Sequence, residues 1–143
     1  MRDESEHLLA DIPLKAIIEY EGKVLIVMNS ERAWQLPGGR LNKGERPIDG
    51  LKREIKEELD ASVEVLSIYD TFVFTSSSGK AHFLVIYICK LLSDAVRIRD
   101  VDGEAKEMRW ISSPEELKNL GNNSMMWKEY HESLVKYFTE KAN

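Results

Sequence analysis

One helical segment set between β-rich stretches restricts this chain more than any other feature. Pro47 suits the first position of a helix, and Ile48, Leu51, Ile55 and Leu59 follow at spacings of three and four. That spacing predicts a helix from residue 47 to about 59 with a single apolar stripe for a core. Before it, residues 12–20 (IPLKAIIEY) and 24–29 (VLIVMN) read as a strand pair joined at Glu21-Gly22-Lys23. Trp34-Gln35-Leu36 is a short third strand stopped by Pro37, and the glycines at 38, 39 and 44 make 37–46 a loop. After the helix, residues 61–68, 71–75, 81–90 and 108–111 read as strands, with Ser76-Ser77-Ser78-Gly79 as a turn. Pro114 opens a short helix to Leu120, and Ser124 caps a last amphipathic helix carrying Met126, Tyr130, Leu134 and Tyr137 on one face. Strands interleaved with one long helix and closed by another predict an α/β fold, an α/β/α sandwich around a mixed β-sheet. Its length suits one domain over 1–143.

Composition removes several function classes. A single cysteine, Cys89, excludes an intramolecular disulfide and a cysteine-rich zinc site, and suits a reducing compartment. Twenty basic against 25 acidic residues give a net charge of -5, which argues against sequence-independent attraction to nucleic acid. An anionic substrate would then need a metal ion as go-between. The acidic start Met1-Arg2-Asp3-Glu4-Ser5-Glu6 lacks the basic and apolar regions of a secretory signal, and no apolar run nears the roughly 20 residues of a membrane span. A cytoplasmic monomer or homodimer is the expectation.

The outer face of the helix is where chemistry is expected. Glu54, Glu57 and Glu58 stand at i, i+3 and i+4, so their carboxylates share one patch, with Arg53 four residues before Glu57. Like charges at this spacing repel, and acids near a helix C-terminus oppose its dipole. A solvated charged face is the bland explanation. A cation between the carboxylates is the functional one, and an oxygen-only ligand set suits Mg²⁺, with Mn²⁺ as a substitute. A carbonyl from the Gly38-Gly39 turn could serve the same ion.

The wider pattern favours the functional explanation. The string Gly39-x5-Glu45-x7-Arg53-Glu54-Ile55-x-Glu57-Glu58-x-Asp60-Ala61 resembles the signature of the Nudix hydrolases, departing from it at Asp60, where glycine is usual, with Ala61 a small stand-in for the usual bulky aliphatic. With Gly and Glu each about 7% of residues, matching six fixed positions by accident has a probability on the order of 10⁻⁷ per starting point. Trp34 to Gly39, Met108 to Ile111 and Pro114 to Leu117 are similar to elements that flank the signature in that family. The resemblance implies the Nudix fold and metal-dependent hydrolysis of a nucleoside diphosphate linked to another moiety. It assigns Glu57 and Glu58 as metal ligands, and Glu54 as a further ligand or the group that deprotonates water. Arg53 would position the carboxylates, Glu45 would support Arg53, and Gly39 would offer its carbonyl. Some members use an acid before the late strand, for which Glu104 and Glu107 are the candidates, Glu104 as a metal ligand.

Trp34, Gly38, Gly39 and Arg40 are candidate substrate contacts, with Trp34 able to stack on a base or simply to pack. Asp60, just past the helix, is expected in a left-handed conformation, which Asp tolerates better than most residues. Ser77 stands where family members acting on ADP-ribose often carry proline and those acting on dinucleoside polyphosphates tyrosine. The missing markers leave nucleoside triphosphates, including damaged ones, as the expected substrate class. A non-catalytic nucleotide-binding or sensor protein on the same fold is the alternative, for which loss of the signature carboxylates is the usual cause.

Overall fold

The computed structural model describes residues 6–94, 96–98, 107–120 and 128–142. The expected Ser124 cap, Met126 and Glu104 lie outside the described residues. Seven strands form one mixed sheet: β1 (Pro13–Tyr20), β2 (Lys23–Met28), β3 (Trp34–Gln35), β4 (Gly38–Arg40), β5 (Val63–Thr75), β6 (Ala81–Leu91) and β7 (Glu107–Ile111). The main path runs β3-β2-β1-β6-β5, with β4 paired to β1 and β7 to β2. β1 and β6 run parallel and every other pair is antiparallel.

Alternation along β1 sends its side chains into two separate cores. Leu14, Ala16 and Ile18 pack with Leu51, Ile55 and Leu59 of α1 (Pro47–Leu59), all fully buried. Ile17 faces the other way, into a core built with Leu117 of α2 (Pro114–Asn119) and Tyr130, Leu134 and Tyr137 of α3 (Lys128–Ala142). Helices thus cover both faces of a mixed sheet, the expected α/β/α sandwich. The described helices include none long and apolar enough to cross a membrane.

Two strand expectations need correction. Residues 38–40, expected as loop, form β4, because β2 pairs with β1 only at Glu19 and Tyr20 and leaves the start of β1 an open edge. Gly38 fits there at φ 138, where a Cβ would collide with the Leu14 carbonyl. The expected pair of strands at 61–68 and 71–75 is one strand, β5, with irregularities between Val65 and Ser67 and between Ile68 and Asp70. The first shift reverses which residues face α1 and the second restores it. That broken alternation reads in sequence as a gap.

Asp60 ends α1 at φ 51, ψ 36, left-handed as expected. Its carboxylate also takes Arg97 at 2.9 Å and Lys56 at 3.4 Å, partners that hold its pKa below the ordinary value, Lys56 first. Arg97 donates its backbone N–H to the Leu59 carbonyl at 3.0 Å, closing the helix end. These ties offset the strain that replacing glycine introduces.

Candidate active site

Arg53 gathers three acids on the flank of α1. Its Nε and Nη2 donate to the two oxygens of Glu45 at 3.1 and 2.8 Å, a two-pronged pair that fixes both side chains. Its Nη1 donates to Glu54 Oε1 at 3.0 Å and to Glu57 Oε2 at 3.2 Å. Glu45 also accepts the Asn42 N–H at 2.8 Å. The hydrogen bonds from Arg53, and then from Asn42, hold the Glu45 carboxyl at about 2. Glu45 in turn does most to raise the Arg53 guanidinium.

Two glycines make room for this cluster. A Cβ on Gly50, inside the helix, would lie 2.8 Å from Glu45 Oε1. A Cβ on Gly39 would overlap the Glu54 carboxylate. Gly39→Ala is therefore expected to displace Glu54 and lower kcat by roughly ten- to a hundredfold, the scale of a small misplacement of reacting groups. Melting curves and steady-state rates measured together check this, since the effect is expected in rate with the fold retained.

Glu58 faces the start of β4, where the Gly38 N–H donates to its Oε1 at 3.3 Å. Its charge also reaches Tyr130 on α3, whose fully buried hydroxyl is pushed well above its ordinary pKa by burial first and then by Glu58.

Glu54, Glu57 and Glu58 share a flank as expected, but their oxygens are divided between Arg53 and Gly38. Among the described residues no three acidic, histidine or cysteine side chains form a ready-made cage for a metal. The donor set still fits a hard cation, being carboxylate oxygen beside backbone carbonyls. Glu57 is half-exposed on a long side chain, so a rotamer change would release it from Arg53 toward an ion.

Other expected residues fall elsewhere. Trp34 is 3% exposed and packs in the α3-side core, with the Arg109 guanidinium 5.7 Å from its ring centroid. Of the two roles open to Trp34, this placement favours packing over stacking on a base, because Arg109 takes one face and the ring is buried. Arg40 points to Asp11 at 3.2 Å and not into the Arg53 cluster, and Glu107 is exposed at the start of β7 opposite Met28. Burial raises the Cys89 thiol to about 12, which leaves it inert at neutral pH.

Sequence reasoning missed Gly50 and Lys15. A glycine inside a helix costs about 1 kcal/mol relative to alanine, and that cost was the available signal for the space Glu45 needs. Lys15 is 6% exposed in β1, paired in register with Gly38, and its Nζ donates to Gln35 Oε1 at 3.4 Å. Its signal was a lysine in the middle of an aliphatic strand.

The NUDIX domain family model matches residues 15–134. An RNA pyrophosphohydrolase of Campylobacter jejuni subsp. doylei is 25% identical over 147 residues, covering 94% of this chain and 92% of that protein. The 8-oxo-dGDP phosphatase NUDT18 of Mus musculus is 23% identical over 115 residues, 75% of this chain and 34% of its own. The chain spans about a third of the length of four curated relatives it matches. A solved NUDIX hydrolase from Nitrosomonas europaea superposes with a TM-score of 0.76 at 20% identity, covering 93% of this chain and 91% of that one. That last likeness is one of fold.

Proposed function

The chain belongs to the NUDIX family, and from that premise we propose that it is a cytoplasmic, divalent-metal-dependent hydrolase of the pyrophosphate bond in small nucleotides. The observation that carries the reading is the Arg53 fork, which holds Glu45, Glu54 and Glu57 beside Gly39 while Glu58 sits on the Gly38 N–H. Glu54, Glu57 and Glu58 would hold Mg²⁺, or Mn²⁺ in its place, with the Gly39 carbonyl as a further donor. The ion supplies neutralisation of the phosphate charge and acidification of water.

The chain's own residues supply position. Glu45 fixes the plane of Arg53, and Arg53 fixes the Glu54 carboxylate against the backbone of Gly39. Held there, Glu54 is placed to take a proton from the attacking water. The new oxygen–phosphorus bond forms as the bridging bond breaks, and the leaving phosphate carries away the electron pair. A sensor without catalysis is the weaker reading, because all three signature carboxylates are present.

Nucleoside triphosphates, including oxidised ones, are the proposed substrates. The names of two relatives add 8-oxo-dGDP and RNA to the compounds to be tried. A chromatographic screen of these with ADP-ribose, dinucleoside polyphosphates and nucleotide sugars tests the reading. Hydrolysis at a pyrophosphate bond that chelator abolishes and Mg²⁺ restores is the expected result. No turnover of any of them with Mg²⁺ or Mn²⁺ would overturn it.

A further inference from the structure

We propose that the groove between the first turn of α1 and the edge strand β5 is a self-association surface, occupied by a second copy of this chain around a two-fold axis. The groove is a cavity of about 690 Å³ lined by Ile48 of α1, by Val65, Leu66 and Ile68 of β5, and by Tyr87 of β6. Eight large apolar side chains stand exposed among the described residues. Three of them, Ile48 at 45%, Leu66 at 54% and Ile68 at 61%, line this groove, and Val73 at 51% continues along the same strand. Monomeric proteins seldom gather exposed apolar groups into one patch.

The irregular strand accounts for the gathering. Leu66 falls at the first shift in register, and Ile68 pairs with Tyr87 and so faces the side of α1, beyond the helix that would have covered it. β5 ends the sheet, and its sequence VEVLSIYDTFVFT has neither lysine nor proline, two of the usual guards of an edge. The two bulges guard its backbone against continuous pairing, so contact through side chains in the groove is favoured over one extended ladder.

Charge and size select a second copy over other occupants. Arg46 and Asp49 both line the groove, so its charged residues sum to zero on a molecule whose net charge is -5. Across a two-fold axis each residue meets its counterpart's neighbour, and Arg46 of one copy can face Asp49 of the other. A standard interface takes about 800 Å² from each partner. Thirteen residues of strand extend about 43 Å, so a strip about 19 Å wide suffices, which the strand, the groove and the near side of a helix roughly 10 Å across provide. Ile48 and Glu57 are nine residues apart and so lie about half a turn from each other round α1. Glu57 therefore points away from the second copy.

Sedimentation or light scattering of the full chain across concentration tests this without reference to activity. The wild type is expected to reach twice the chain mass by about 100 µM, the affinity range of a modest interface. Ile68→Glu and Leu66→Glu should return it to a monomer whose melting matches the wild type at dilutions where the wild type is itself monomeric and, where a substrate is in hand, whose turnover per chain is unchanged. Arg46→Asp should also dissociate it, and adding Asp49→Arg to that variant should restore the dimer. A monomeric wild type at that concentration, a dimer indifferent to Ile68→Glu, or a double reversal that fails to restore association would each overturn the proposal.

Discussion

Glu58→Gln is expected to lower kcat by at least about a hundredfold, through the loss of charge that a cation site requires. The fold should persist. The amide keeps an oxygen that can accept the Gly38 N–H, now 3.3 Å from Glu58 Oε1, and the side chain lies at the surface of the helix and outside its buried stripe. Glu57→Gln should match it in rate. Glu57 is half-exposed, and its contact with Arg53 is an i,i+4 pair at 3.2 Å, a type that contributes little to stability. Glu45→Gln should lose less, because Glu45 acts through Arg53 and not on the substrate. Turnover at saturating Mg²⁺, with melting curves of each variant, decides between these roles. Near-wild-type turnover in either Glu57→Gln or Glu58→Gln would remove that residue from the site.

The helix and its charged flank were legible in the sequence because both depend on local spacing. Ile48, Leu51, Ile55 and Leu59 predict where α1 lies, and the structure runs it over Pro47–Leu59. The same three-and-four spacing places Arg53, Glu54, Glu57 and Glu58 together. Spacing alone presents the carboxylates as mutually repelling; the resemblance is what gives Arg53 a positioning role with Glu45 in support, and Arg53 lies between Glu45, Glu54 and Glu57. That contact depends on a loop returning Glu45 to the helix, and Gly50 leaving space for it, neither of which is a spacing rule. Trp34 illustrates the same limit. A tryptophan at a strand end reads as packing more readily than as a platform, and burial of the ring in the core with Arg109 over one face favours packing. β5 failed for a different reason: two shifts in register erase the alternation by which a strand is recognised.

Because Arg53 already compensates the cluster, its removal and the removal of a ligand should have opposite consequences for metal binding. Millimolar Mg²⁺ or Mn²⁺ should raise the wild-type Tm by several degrees, since an ion at a hundredfold excess over its Kd stabilises the folded state by about 2.7 kcal/mol. Glu57→Gln should hardly change the metal-free Tm, losing one surface pair and one repelling charge together, and should shrink the gain from metal. Arg53→Met should lower the metal-free Tm by several degrees, because three carboxylates then repel without a cation among them. Its gain from metal should equal or exceed that of the wild type while kcat falls, as charge remains but position is lost. Acid separates the cases further. Arg53 holds the Glu45 carboxyl at about 2, down from 4.5. The stability from that pair is complete above pH 4.5 and is lost as pH falls toward 2. The Tm gap between wild type and Arg53→Met should therefore be widest at neutral pH and close between those limits. A merely solvated helix face predicts none of this. Scanning calorimetry of the three proteins, with chelator and with Mg²⁺, is decisive: one common response to metal would mean that these carboxylates do not hold the ion.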